Sequence, residues 1–360
     1  MRSFVHQAPA ERIVFGVGTI ASIGSELERM NATRAVVLST RGHAELAERV
    51  AGLLGHCAVG QFNGAAPHTP IDVTERALEI VRGLRADAVV SVGGGSTTGL
   101  GKAVASRLGI RHLVVPTTYA GSELTPVLGE TSGGEKTTRS GPEILPDTVV
   151  YDVQLTTTLP WSVTVQSAVN AMAHAVEALY SEDADDETDQ WATLAIQSLV
   201  EGLRTLRSDL DSLDARSELL YGAWLAGRCL GAVGMGLHHK LCHTLGGTFN
   251  LPHAATHAVV LPYAMAYNEL AAPSAMSRVA EAMQSDHAPA AVQSLVRALG
   301  GPASLREIGL ADADVDRAAD LAVARAYPNP RKVTRSGVTT LLHRALNGDP
   351  VSPPHGPAAR

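Results

Sequence analysis

The 360-residue chain has only three cysteines, Cys57, Cys229 and Cys242, and their spacing forms neither a CxxC pair nor a disulfide framework. A thiolate metal centre and a cystine-stapled scaffold are excluded, and a reducing cytoplasm fits. Basic runs are missing as well: Lys and Arg number 29 against 36 Asp and Glu, a formal charge of −7, with no block able to follow a phosphate backbone. Nucleic acid is therefore not an expected partner. No apolar stretch reaches the roughly 20 residues that cross a bilayer, and residues 1–6 lack the apolar core of a signal peptide. The expectation is a cytoplasmic chain with no membrane partner and no internal repeat.

What is present is a globular composition, 45% hydrophobic and 18% charged, with length enough for two domains. Short β-branched runs recur in the first half: Ala35-Val36-Val37-Leu38, Ala88-Val89-Val90-Ser91-Val92, Leu113-Val114-Val115 and Thr148-Val149-Val150-Tyr151. Unbroken Val-rich runs suit strands buried on both faces, hence a parallel sheet covered by helices. Residues 44–54 and 73–84 space their apolar side chains by three and four, as crossover helices packed on a sheet do. The first half thus reads as a doubly wound α/β nucleotide-binding domain. Beyond Leu159-Pro160 these runs give way to Ala/Leu-rich helical stretches over residues 163–180, 188–206, 217–230, 314–325 and 338–346. The acidic residues between 182 and 189 suit a solvated helix start, where the dipole favours carboxylates. The predicted organisation is an α/β domain over 1–158, an all-α domain over 159–347, and an unstructured tail over 348–360, where four prolines fall in thirteen residues.

Two glycine patterns compete for a phosphate. Gly16-Val17-Gly18-Thr19-Ile20-Ala21 matches GxGxxG/A, but the run Val36–Leu38 ends in Ser39-Thr40-Arg41, without the acid that grips a ribose diol. A plain turn is the better reading there. Val92-Gly93-Gly94-Gly95-Ser96 directly follows a Val-rich strand and precedes a helix from Thr97 towards Leu108. Glycines let backbone N–H groups approach a pyrophosphate, and the helix N-terminus adds partial positive charge. Pro116-Thr117-Thr118 follows the next strand at the same sheet edge, so its hydroxyls join the expected dinucleotide site.

The helical half contributes Asn170 with His174, His239 with His243, and His253 with His257, each pair four residues apart and therefore on one helix face. Five of the 14 histidines at this spacing point to a shared functional site. Imidazoles at such spacing suit a divalent metal, which usually also takes a carboxylate to offset its charge. Here the sixth group is the neutral amide of Asn170. The expectation is a pocket without metal, in which imidazoles attract an anionic substrate and stabilise an enolate.

Taken together, Gly93-Gly94-Gly95-Ser96, Pro116-Thr117-Thr118, Asn170-x3-His174, and Gly236-x2-His239-x3-His243-x2-Gly246 followed by Pro252-His253 resemble the iron-containing (group III) alcohol dehydrogenase superfamily over nearly the whole chain. The resemblance implies a dehydroquinate synthase-like fold, an N-terminal nucleotide-binding α/β domain with a helical C-terminal domain, in a homodimer. His174, His239 and His253 match the superfamily's metal ligands, whereas Asn170 stands where metal-dependent members carry Asp. Gly99 likewise replaces an Asp in the helix after the glycines. With Thr117-Thr118-Tyr119-Ala120-Gly121-Ser122-Glu123, these departures are similar to the maleylacetate reductase branch. That branch reduces the carbon–carbon double bond of the dicarboxylate maleylacetate to 3-oxoadipate, in aromatic-compound breakdown, with NADH or NADPH and, on the reading above, no metal. The resemblance implies that His243, His253 or His239 is catalytic and that His174, Asn170, Tyr119, His257 and Arg139 bind substrate. Cofactor contacts fall to Gly93, Gly94, Gly95, Ser96, Thr97, Thr117, Thr118, Ser122, Thr125, Ser39 and Lys136. The alternative is an Fe- or Zn-dependent alcohol or polyol dehydrogenase of the same superfamily. A non-catalytic metal buffer is disfavoured by the intact Gly93–Ser96 loop.

Overall fold

The computed structural model describes residues 4–8, 11–133 and 135–353, with residues 4–8, 135 and 136 described by backbone alone. The chain forms two compact units, residues 1–159 with 208–227, and residues 160–207 with 228–360. In the first, β1 (Phe4–Ala8), β2 (Glu11–Gly16), α1 (Ile23–Arg29), β3 (Ala35–Leu38), α2 (Ala44–Leu54), β4 (Ala58–Phe62), α3 (Ile71–Gly83), β5 (Ala88–Gly93), α4 (Gly95–Leu108), β6 (Arg111–Pro116), β7 (Val127–Ser132), β8 (Glu135–Ser140) and β9 (Thr148–Asp152) follow in chain order. Seven strands form one sheet in the order β1-β2-β9-β6-β5-β3-β4, and all but β1 are parallel. The hairpin β7–β8 stands apart, with Gly133 in its turn, and Gly134 lies outside the described residues.

Successive valines explain the sheet. Val37 and Val90 pack into one core with Ile23, Leu27 and Val50, while Val36 and Val89 pack into another with Leu78, Val81 and Leu100. Period-two alternation thus sends each Val-Val step to opposite faces, and both are dry. Register then fixes the functional edge: Gly93 of β5 lies opposite Pro116 of β6, and the Thr117 N–H donates to Gly93 O at 2.9 Å.

The second unit contains α5 (Trp161–Ala178), α6 (Asp186–Ser208), the end of α7 (Leu213–Ala232), α8 (Leu237–Phe249), α9 (His253–Asn268), α10 (Pro273–Met283), α11 (Ala288–Ala298), α12 (Val315–Val323) and α13 (Arg335–Asn347). Its core joins Leu237, Leu241 and Leu245 to Val260, Tyr263, Leu341 and Leu342. No helix among the described residues is long and apolar enough to cross a membrane.

Two details depart from the expected organisation. A single cut near residue 158 leaves out residues 208–227, which belong to the first unit. Arg216 donates to Thr156 O, the Trp224 indole N–H donates to Glu11 Oε1 at 3.0 Å, and Tyr221 meets Phe15 edge-on, so this segment is held by the sheet domain. The tail is also anchored as far as it is described. Tyr263 Oη and Gln293 Nε2 donate to Asp349 O, Val351 N donates to Gln293 Oε1, and the Val351 side chain is buried in the helical core. Proline content therefore signalled extended backbone, which bonds to neighbouring side chains here. Residues 354–360 lie outside the described residues.

Helix α4 lies close to the sheet because Gly101 has no side chain. A Cβ there would collide with Ser91 Oγ and His112 Nε2, which hydrogen-bond each other at 2.9 Å in a buried pair. Burial holds the His112 imidazole down at about 3, with the Lys102 charge adding to the effect, so this pair is neutral. Gly101→Ala is expected to destabilise the fold by about 1–3 kcal/mol through overpacking; an unchanged urea midpoint would show that the helix can move away freely.

Candidate active site

At the carboxyl edge of the parallel sheet, Gly93 has φ +143°, a conformation open to glycine, and a Cβ on it would approach Thr97 Oγ1 to 2.7 Å. A Cβ on Gly94 would press on Thr118 Oγ1 at 3.0 Å, and one on Gly95 would face Ser122 Oγ at 3.7 Å. The three glycines therefore leave a cradle rimmed by hydroxyls. Two of those, Thr97 Oγ1 and Ser122 Oγ, are buried without a hydrogen-bond partner, as is Thr117 Oγ1 next to Thr118. Buried polar atoms rarely stay unpaired. Ser96 sits in the first turn of α4, which carries no acidic side chain, so the helix dipole is left for an anion. This cradle fits a phosphate or pyrophosphate group.

Its far wall is fixed from behind. Lys102, two turns along α4, is buried and donates to Ser122 O at 2.6 Å, Thr125 O at 2.7 Å and Val127 O at 3.1 Å. Thr125 Oγ1 also accepts from Lys102 and itself donates to Ser122 O, so this predicted cofactor residue braces the loop instead. Ser39 is likewise committed, its hydroxyl bonded to Asn63 Oδ1 at 2.8 Å. The competing Gly16–Ala21 pattern is a turn: the N–H groups of Gly18 and Ile20 both donate to the Asp152 carboxylate, leaving them nothing to offer a phosphate. Gly99 has a local reason as well, because a Cβ there would strike Thr69 Oγ1.

Two predicted substrate residues belong to the first unit. Tyr119 is fully buried, its phenol raised by desolvation and partly restored by Thr156 and Arg216 beside it. Arg139 donates to Ser106 Oγ at 2.7 Å and faces Glu130 at 3.8 Å, tying the hairpin to α4. The side chain of Lys136 lies outside the described residues.

The histidines converge in the helical unit. His174 of α5 and His239 of α8 share a hydrogen bond, Nδ1 to Nε2, at 2.8 Å. The His257 ring of α9 lies 5.1 Å from that of His239 and 6.2 Å from that of His174, and the tilted His253 ring lies 4.5 Å from that of His257. His243 lies 6.2 Å from His239. Depth divides the set: His174, His239 and His257 are buried, whereas His243 and His253 are exposed. Asn170, one turn before His174 on α5, is buried with Oδ1 unpaired.

Three further side chains complete the cluster. His238 Nε2 meets His257 Nδ1 at 2.9 Å, and Cys242 Sγ lies 3.6 Å from the same His238 nitrogen. Burial pushes both imidazoles well below the usual histidine range, with neighbouring His charges adding to the shift, so this pair stays neutral. Glu177 is the other addition. Its Oε2 lies 2.7 Å from His239 Nδ1, and its oxygens accept the N–H groups of Gly236 at 2.9 Å and His238 at 2.8 Å. Burial alone would raise this carboxyl, but the His239 hydrogen bond and charge and the two N–H groups bring it below its ordinary value. It is an anion fixed behind the imidazoles. A sequence signal existed, since Asn170, His174 and Glu177 share one helix face at four- and three-residue spacing.

The donors present fit a divalent cation. An unpaired buried amide oxygen, imidazole nitrogens already within hydrogen-bond distance of one another, and a buried carboxylate one bond further out supply ligands and compensating charge together.

Comparison with known proteins bears on this point. The chain matches the model of "Iron-containing alcohol dehydrogenase" over residues 10–153 and that of "Fe-containing alcohol dehydrogenase family, C-terminal" over residues 164–346. It is 52% identical over 346 residues to maleylacetate reductase 1 of Rhodococcus opacus, covering 96% of this chain and 97% of that one. Among solved structures it is similar to maleylacetate reductase from Agrobacterium tumefaciens, with a TM-score of 0.92 and 47% identity over 98% of this chain and 100% of that one. An iron-containing alcohol dehydrogenase from Corynebacterium glutamicum follows at TM-score 0.90 and 38% identity, over 97% and 98% of the two chains. The expectation of a pocket without metal is overturned by this iron-binding family. Its physical flaw was to seek the compensating charge among the ligands alone, whereas Glu177 supplies it through His239. With both family models matched in sequence order, the chain belongs to the iron-containing alcohol dehydrogenase family.

Proposed function

We propose that the chain reduces the carbon–carbon double bond of maleylacetate, and of its substituted forms, giving 3-oxoadipate. The observation that carries this reading is the 52% identity, over nearly the whole of both chains, to a maleylacetate reductase. The imidazole cluster supports it chemically. The Gly93–Ser96 cradle would hold NADH or NADPH, which would supply the hydride for the alkene carbon β to the ketone. Negative charge then gathers on the ketone oxygen until the α carbon takes a proton, so the site must offer electrophilic groups and an acid.

Asn170, His174, His239 and His253 would hold the family's metal ion, which when bound supplies Lewis-acid polarisation of the ketone oxygen. That assignment separates the roles of the two exposed imidazoles. A ligating imidazole keeps its lone pair engaged, so His243 is the proton donor, one turn from His239 and open to solvent for reprotonation. His257, neutral and backed by His238, lines the pocket without adding charge. On this reading the enzyme is a cytoplasmic homodimer, and three unpaired cysteines support the reducing compartment.

His243→Ala is expected to lower kcat for maleylacetate by about 10²–10⁴; a rate near wild type would remove the residue from the acid role. At position 170, restoring a carboxylate converts a weak neutral donor into an anionic one, so Asn170→Asp should bind Zn²⁺ or Fe²⁺ more tightly, and calorimetry showing equal affinity would refute that account. The cofactor prediction rests on the end of β3, where Ser39-Thr40-Arg41 offers no acid to repel a 2′-phosphate and Arg41 is exposed. With maleylacetate present, the nicotinamide absorbance band should decay with NADH and with NADPH. Decay with neither would overturn the proposed activity, and a preference above about a hundredfold, roughly 2.7 kcal/mol, would overturn the cofactor argument.

A further inference from the structure

Glu177 does more than fill space between α5 and α8. We propose that Glu177 is a positioning residue of the active site: its carboxylate fixes His239, and through it His174, as Nδ1–H tautomers, so that both rings carry their lone pair on Nε2. The inference rests on reading the cluster as the catalytic site.

The geometry leaves little choice of tautomer. A carboxylate accepts and cannot donate, so the 2.7 Å contact between Glu177 Oε2 and His239 Nδ1 places the proton on Nδ1. With the proton on Nδ1, a ligating ring carries its lone pair on Nε2, which faces His174 Nδ1 at 2.8 Å; that nitrogen then donates, leaving the His174 lone pair on its own Nε2. One anion thereby sets two imidazoles in series, and a lone pair on Nε2 is what a cation requires of a ligating ring. Glu177 cannot turn away. Its Oε1 accepts the His238 N–H at 2.8 Å and the Tyr180 hydroxyl at 3.3 Å, while Oε2 also accepts the Gly236 N–H at 2.9 Å. These N–H groups open α8, where the dipole favours an anion. Gly236 belongs to the arrangement, since a Cβ there would come within 3.2 Å of Glu177 Oε1.

A helix cap alone would leave the protons of the ring where they are, and Glu177→Ala separates the two roles. Without an acceptor at Nδ1, His239 is released to take the Nε2–H form. In ¹⁵N-histidine spectra of the full-length wild-type enzyme, chelator-treated and zinc-loaded, His239 should show a protonated Nδ1 and an unprotonated Nε2. In chelator-treated E177A the Nδ1–H form should give way to Nε2–H, and zinc affinity measured by equilibrium dialysis should fall about 10–100-fold. A wild-type His239 protonated on Nε2 overturns the proposal, whether or not the variant folds. So does a folded E177A protein that binds zinc as tightly as wild type. Neither measurement involves maleylacetate, so failure of the wild-type enzyme to reduce that substrate would sink the proposed function and leave this inference standing.

Discussion

A carboxylate removed from water survives as an anion only if its oxygens are filled by donors, and the helical unit is arranged around meeting that condition at Glu177. Backbone N–H groups from the start of α8, an imidazole and a phenol converge on it. The cost of burying the charge is thereby offset, and its position couples the face of α5 bearing Asn170 and His174 to the first turn of α8. Around it two further buried imidazoles, His238 and His257, are kept neutral by the same desolvation. The cluster therefore has one fixed negative charge, the hydrogen-bonded pair His174 and His239, two neutral rings and two imidazoles at the solvent boundary.

Much of this was legible in the sequence, and the limits have physical causes. Val-Val steps at 36–37 and 89–90 announced strands dry on both faces, and residues 44–54 form the helix their periodicity predicts. Strand β4, Ala58–Phe62, escaped because it lies half-buried at the sheet edge and needs no branched run. Helical spacing also identified the histidine pairs correctly as sharing faces. It could not show depth: His239 and His243 are four apart, yet one is buried and the other exposed. Spacing reports direction around an axis, and only packing against α5 and α9 decides how far a side chain lies from water.

The same limit explains Glu177 and Asp152. A glutamate seven residues after Asn170 looks like a solubilising charge, because most carboxylates are exposed. Its burial becomes apparent only when α8 delivers N–H groups to it. Asp152 is the converse case. At the end of β9 it satisfies Gly18 and Ile20, and this removes a glycine pattern from the list of phosphate sites without any change in that pattern's own residues. Whether a loop can hold an anion depends on whether the protein already provides one.

Lys102 extends that logic to the loop carrying Ser122. Three main-chain carbonyls converge on its ammonium group, and carbonyls cannot bond to one another. The stretch from Ser122 to Val127 is thus curled around a point donor that α4 itself supplies, so a single helix both borders the glycine cradle with its first turn and sets the curvature of the opposite wall. Grafting that loop alone onto another scaffold would transplant a shape whose template stays behind in the helix.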